Sequence, residues 1–363
     1  MKKLLVLFLF ILSLIPVFAD ETVILPSQRG IVKSLEYVDL DNQMTQAKQI
    51  LQVKLTTGEF KGEIIELENM LTGNPYYDIN LKENSRVILH AEDNGNGIEY
   101  SVEDVERAGT LIWLCLLFCG LLVYVGKKKG LYSLIAIAVT VLLIKQCLCP
   151  LIIIGIHPVV SVLFICIIST ALTMYLVGGF NAKSTSASIG AVLSLLFAGC
   201  LSYLTMFTAQ LTGFTGENSI FLYAAHPELN FIGIAVSAMV LATLGAVMDV
   251  AMSIASTINE IYLTDNTKTV KELFRSGMNV GRDIIGTMAN TLILVYVGGS
   301  LPLLLLAGNV DWQKFINLDQ VVTETASALI GSIAIVICVP FTALAAASMI
   351  HKYAKKAEQD IIL

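Results

Sequence analysis

Residues 108–146 read AGTLIWLCLLFCGLLVYVGKKKGLYSLIAIAVTVLLIKQ. Two apolar runs lie either side of Lys127-Lys128-Lys129, and only Lys145 adds another charge. A bilayer core about 30 Å thick is crossed by roughly 20 apolar residues of helix, so each run is a membrane span and the lysines mark one membrane face. Five more apolar runs follow, at 152–177, 187–211, 231–256, 286–307 and 325–349. The reading is therefore an α-helical polytopic membrane bundle of about seven spans, occupying 108–363. The composition agrees: 55% of the 363 residues are hydrophobic and 14% charged, and the mean hydropathy of +0.74 is too apolar for an ordinary wet surface.

Upstream of Ala108 the chain changes character. Lys2-Lys3, an apolar stretch over 4–17 and Val17-Phe18-Ala19 before Asp20 have the pattern of a secretory signal peptide cleaved after Ala19. Residues 20–107 carry 17 acidic and 8 basic side chains, a net −9, which argues against a nucleic-acid partner. Alternating apolar and polar residues over 30–38, 50–56, 62–67, 86–91 and 98–102, with turn signals at Thr57-Gly58 and Asn94-Gly95-Asn96-Gly97, predict a small extracytoplasmic all-β domain of OB or SH3-like barrel type. All seven Cys lie in or beside the apolar runs, so this domain is not a disulfide scaffold.

An exported N-terminal domain sends the first span inward. Alternation then places Lys127–Lys129, Lys183, the 268–282 loop and the tail with Lys352, Lys355 and Lys356 on the cytoplasmic side, leaving Lys145 and Lys314 outside. Trp113 and Trp312 fall near the outer interface, where indoles are favoured. The expected location is the bacterial cytoplasmic membrane, with a cytoplasmic C-terminus and the lipid bilayer as the first partner.

Inside the spans, polar groups are expensive and need a reason. Asp249, in GAVMDVAMSIAS (245–256), shares a helical face with Gly245 and Ser253. The segment SGMNVGRDIIGTMANT (276–291) supplies Arg282, Asp283 and Asn290, with Arg282 the expected counter-charge of Asp249. Gly277 and Gly281 are expected helix breaks, as are Gly298 and Gly299 with Pro302 and the pair Gly178-Gly179; broken helices expose carbonyls that coordinate ions. Residues 171–179 and 291–299 resemble each other, which would suit an inverted repeat. No HExxH, nucleophile elbow, Walker A or CxxC pattern occurs, so no catalytic, cofactor-binding or metal residue is assigned and no enzyme is expected. These residues point to a transporter or permease with an ion or small-molecule substrate. The alternative is a non-transporting scaffold or sensor whose exported domain binds an envelope protein; a homo-oligomer is a further expected assembly.

The runs GAVMDVAMSIAS (245–256) and GMNVGRDIIGTMANTLILVYVGGSLPLLL (277–305) are similar to the signature of the YibE/F family of bacterial multi-spanning membrane proteins. The Gly30-Ile31-Val32 start and the turn at 58–62 resemble the family's N-terminal β region. The resemblance implies a multi-spanning architecture and a bacterial origin, and supplies no catalytic residue.

Overall fold

The computed structural model describes residues 27–39, 47–93 and 98–362. The signal segment 1–19 and the turn Asn94–Gly97 lie outside the described residues.

The N-terminal region folds as five antiparallel strands, β1 (Gln28–Asp39), β2 (Ala47–Leu55), β3 (Ile64–Leu71), β4 (Arg86–Asp93) and β5 (Ile98–Val105). They pair in the order β3-β2-β1-β4-β5. Strand period dictates which side chains point in: on β2, Ala47, Gln49, Leu51, Val53 and Leu55 alternate with more exposed neighbours. Val32, Leu51, Val53, Leu55, Leu67, Leu81, Val87 and Leu89 form the core. Asp93 pairs with Ile98, so the two strands flanking the expected hairpin turn are neighbours.

The remainder is helical: α1 (Ala108–Leu143), α2 (Cys149–Ile153), α3 (Pro158–Gly178), α4 (Ala182–Thr208), α5 (Glu217–Ala225), α6 (Phe231–Thr264), α7 (Val270–Gly299), α8 (Leu301–Leu306), α9 (Trp312–Ile316) and α10 (Asp319–Ile362). Six helical stretches are long and apolar enough to cross a membrane, where the sequence reading expects seven. The difference lies in Ala108–Ile153, which runs as one stretch of 46 residues and takes in both of the first two expected spans. Its backbone is not uniformly helical. Lys127 has φ 49 and ψ −129, and a Cβ at Gly130 would run into the Leu122 carbonyl oxygen, so the chain bends sharply at the lysines. Farther on, a π turn over Ile144–Leu148 precedes Pro150. Proline has no N–H to donate, and the wider turn absorbs its ring; the helix therefore continues to Ile153 instead of ending near 144.

Helix starts follow side-chain chemistry. The Oδ1 of Asn181 accepts from the Ser184 N–H and that of Asn230 from the Gly233 N–H, both at 2.8 Å. Thr269 and Glu272 form a capping box at the start of α7. Around the centre, α10 packs on α4, α6 and α7, α4 packs on α3 and α6, and α6 packs on α3 and α7. Small residues permit this: Gly190 of α4 lies against Thr342 of α10, where a Cβ would come within 2.7 Å of the Thr342 Cα. Cys338 reaches the Val247 carbonyl at 3.5 Å, joining α10 to α6.

Candidate intramembrane site

Asp249 lies on the exposed face of α6. Val247, Val250 and Ile254 on the same helix are buried, and Asp249 is two residues, roughly 200° of helical turn, from Val247. The carboxylate consequently points away from the face that packs on α10. It lines a cavity of about 460 Å³ between the post-lysine half of α1, α3 and α6. Most of the wall is apolar, with Met174, Met248 and Met252 prominent; the other polar side chains are Ser133, Thr140 and Thr173. Thr140 is fixed by a 2.8 Å hydrogen bond to Ser169 of α3. Among the described residues, no hydrogen bond or ion pair engages the Asp249 carboxylate. Ser253 follows one turn later, exposed on the same helix and just outside the cavity wall.

Arg282 is not the partner of Asp249. Its guanidinium donates at 3.1 Å to Asn279 Oδ1 on its own helix, and Arg282, Asp283 and Asn290 are all exposed on α7. The four polar residues expected to form one site thus occupy two places, because α6 presents Asp249 to the α1–α3 side and packs on α7 through Ile258, on a different face.

The expected breaks divide in the same way. Gly277 and Gly281 do not interrupt α7, which is continuous from Val270 to Gly299. They are close-packing points: a Cβ at Gly277 would lie 2.6 Å from Ile258 and 3.2 Å from Ala343, and one at Gly281 would press into Val339. Gly298 and Gly299 do end a helix, with Ser300 as cap and Pro302 in the first turn of α8. Gly178 likewise closes α3, where Gly179 has φ 78. Both halves of the short internal match therefore end a helix at a Gly-Gly pair.

Two features were not singled out from the sequence. One is the hydroxyl set Ser133, Thr140 and Thr173, whose common destination depends on two separate helices, α1 and α3. The other is Glu324, inside α10 and one residue before the apolar run that the sequence delimits. Among the described residues, no group of three or more His, Cys, Asp or Glu could hold a metal ion.

Comparison with known proteins gives the family. The YibE/F-like protein profile matches residues 114–352, and the YibE/F family N-terminal domain matches residues 32–105. No curated protein and no solved structure matches the chain. With both profiles in chain order over nearly its whole length, and with six helices apolar enough to span a bilayer, this integral membrane protein belongs to the YibE/F family.

Proposed function

We propose that the protein is a transporter or permease of the bacterial cytoplasmic membrane, with seven spans, an exported β domain and a cytoplasmic C-terminus. Asp249 is its cation- or proton-binding carboxylate. The bend at Lys127 supports the count: an unbroken helix of 46 residues would be roughly 69 Å long at about 1.5 Å per residue, more than twice the bilayer core. Two segments meeting at the lysines fit it twice.

One observation carries the functional reading: an acid without a protein partner on the wall of a cavity, within a helix apolar enough to span the membrane. An isolated carboxylate at mid-bilayer costs about 2.5–3.5 kcal/mol on insertion scales. With no cationic side chain to neutralise it, the compensating charge is a proton or a small cation from solution. The hydroxyls of Ser133, Thr140 and Thr173 supply further oxygens, suited to a hard cation. Loading neutralises Asp249 and unloading recharges it, so the two states differ in what they cost in the membrane. That difference is what couples an ion gradient to a conformational change.

The test is flux in proteoliposomes, with an entrapped pH-sensitive dye for protons and radiotracer sodium for the cation. Wild-type protein should carry one of them down an imposed gradient, and Asp249→Asn should slow it by about a hundredfold or more with unchanged insertion. Normal flux in the variant, or none in the wild type, removes the reading.

A second reading draws on the β domain. Tyr76 and Tyr77 meet edge to face at 4.9 Å and are 72% and 70% exposed, the kind of aromatic surface that binds a protein. On this reading the domain docks an envelope partner and the bundle anchors it. Tyr76→Ser/Tyr77→Ser would then abolish partner capture and leave flux untouched.

A further inference from the structure

Arg282 and Asp283 lie much deeper than their sequence neighbourhood implies. Along α7, Gly277 abuts Ala343 of α10, Gly281 abuts Val339 and Leu292 abuts Gly331. Each step forward on α7 is matched by a step back on α10, so the helices are antiparallel and Arg282 and Asp283 sit level with Cys338. In α10 no residue from Thr325 to Ile350 is charged, and Cys338 is the middle of that run. The same level on α6 is Val247, whose carbonyl Cys338 touches. The two charges are thus roughly 18 Å of helix rise from either end of the apolar zone.

Neither is covered by the chain. Arg282, Asp283, Asn279 and Asn290 are exposed, on the side of α7 opposite the buried Gly277 and Gly281. Among the described residues, Arg282 bonds only to Asn279 and neither charge forms an ion pair. Adjacent residues on a helix do not face each other, so Arg282 and Asp283 do not neutralise one another within one chain. From this depth a short Asp side chain cannot snorkel to water, and lipid tails offer no partner. The first half of α1, before Lys127, contains no charged residue and brings no counter-charge either.

We propose that α7 forms the interface of a homodimer, in which Arg282 of each copy pairs with Asp283 of the other. A two-fold axis along the membrane normal keeps equivalent residues at equal depth, and an isologous interface places residue i on residue j and j on i. A basic and an acidic residue side by side at one level are complementary to their own copy under that operation. Asn279 and Asn290, about one and two turns away, add interhelical hydrogen bonds, and Gly286 lets the backbones approach.

The test is association, which is independent of transport. Full-length chains bearing two different tags are co-expressed, and tag-to-tag capture is measured in lipid nanodiscs. Wild type should pair. Arg282→Asp, which leaves only acids at this level, and Asp283→Arg, which leaves only bases, should each self-associate about tenfold or more weakly. Co-expressed with each other, the two variants should recover wild-type capture, a rescue in trans that an intrachain role cannot produce. Independently of folding in those variants, Thr287→Cys on the same face should give an oxidised dimer in native membranes well above the background of the wild-type cysteines, whereas Leu292→Cys, facing α10, should not. A monomeric wild type, capture of a different membrane protein in place of a second copy, absence of rescue in trans, or no cross-link at Thr287→Cys would each overturn the proposal.

Discussion

At the scale of single residues, the separation of Asp249 from Arg282 has a measurable consequence. Side chains that share no partner contribute independently, and their effects add within about 0.5 kcal/mol. Asp249→Asn and Arg282→Gln should therefore be additive in the stability of the detergent-solubilised protein, and Arg282→Gln should not restore flux to Asp249→Asn. Coupling well beyond that margin in a double-mutant cycle would mean that the two charges meet. In the β domain, Asp78 accepts from the Thr72 and Gly73 N–H groups at 2.6 and 2.7 Å, bonds that hold its carboxyl below the usual carboxylate range. Asp104 is held low first by the Arg107 guanidinium at 2.7 Å and then by the Val105 N–H. A depressed folded pKa means that the unfolded chain binds more protons as pH falls, so this stabilisation is present above the unfolded value, about 3.9, and is lost on further acidification. Amide exchange at Thr72 and Gly73 in the full-length protein should accelerate below about pH 4, and Asp78→Asn should give the fast rate already at pH 7.

Elements are held by a few contacts of a specific kind. Gln49, 1% exposed, donates from Nε2 to Asn80 Oδ1 and to the Leu81 carbonyl, both at 3.0 Å. Its Oε1 accepts from Asn69 Nδ2 at 3.0 Å and from the Leu81 N–H at 3.1 Å. This amide pins the connection after β3 to β2, and Leu81 enters the core as a result. Gln49→Ala leaves buried donors and acceptors unpaired, at a cost of about 1–3 kcal/mol, and proteolysis between β3 and β4 should speed up accordingly. In the bundle, Gly281 plays the corresponding part for α7 and α10. Gly281→Val places a branched side chain where a single Cβ already meets Val339, so the helices must separate. The expected loss is about 1–3 kcal/mol, read as a lower melting temperature in nanodiscs, with Val339→Ala restoring part of it.

For the whole molecule, the alternation of lysine-bearing connections makes a topology that can be probed directly. Single cysteines replacing Lys129 and Lys268 should react with a membrane-impermeant maleimide only from the cytoplasmic face, and one replacing Thr215 only from outside. Labelling of Lys129→Cys from outside would mean that Ala108–Ile153 does not cross twice. Most of this architecture was legible in the chain. Strand period placed the five strands within about four residues of their ends, since each strand buries one face of one sheet. Length and apolarity pointed to each long helix, because a bilayer demands both locally, although two expected runs share the stretch Ala108–Ile153 and α7 begins at Val270, well before its expected run at 286. Expectations failed where a local signal has two tertiary outcomes. Gly277 and Gly281 carry the composition of a break, yet a glycine against a neighbouring helix is a contact point and leaves the helix intact. The two spans expected over 110–144 fall in one helical stretch with a bend at Lys127, not on either side of an open loop.

What the sequence determined alone follows from interactions between near neighbours: apolar runs long enough for a membrane, alternation in the β region, and the motifs of the family. What only the tertiary structure decided is where the polar groups within those runs point and how deep they lie. Asp249 lines a cavity beside α3, and Arg282 and Asp283 sit at the middle level of α10 instead of at its edge. Depth and facing are set by which helices touch and in what register. That depends on contacts such as Gly281 with Val339, between residues far apart in the chain, and no local pattern encodes them.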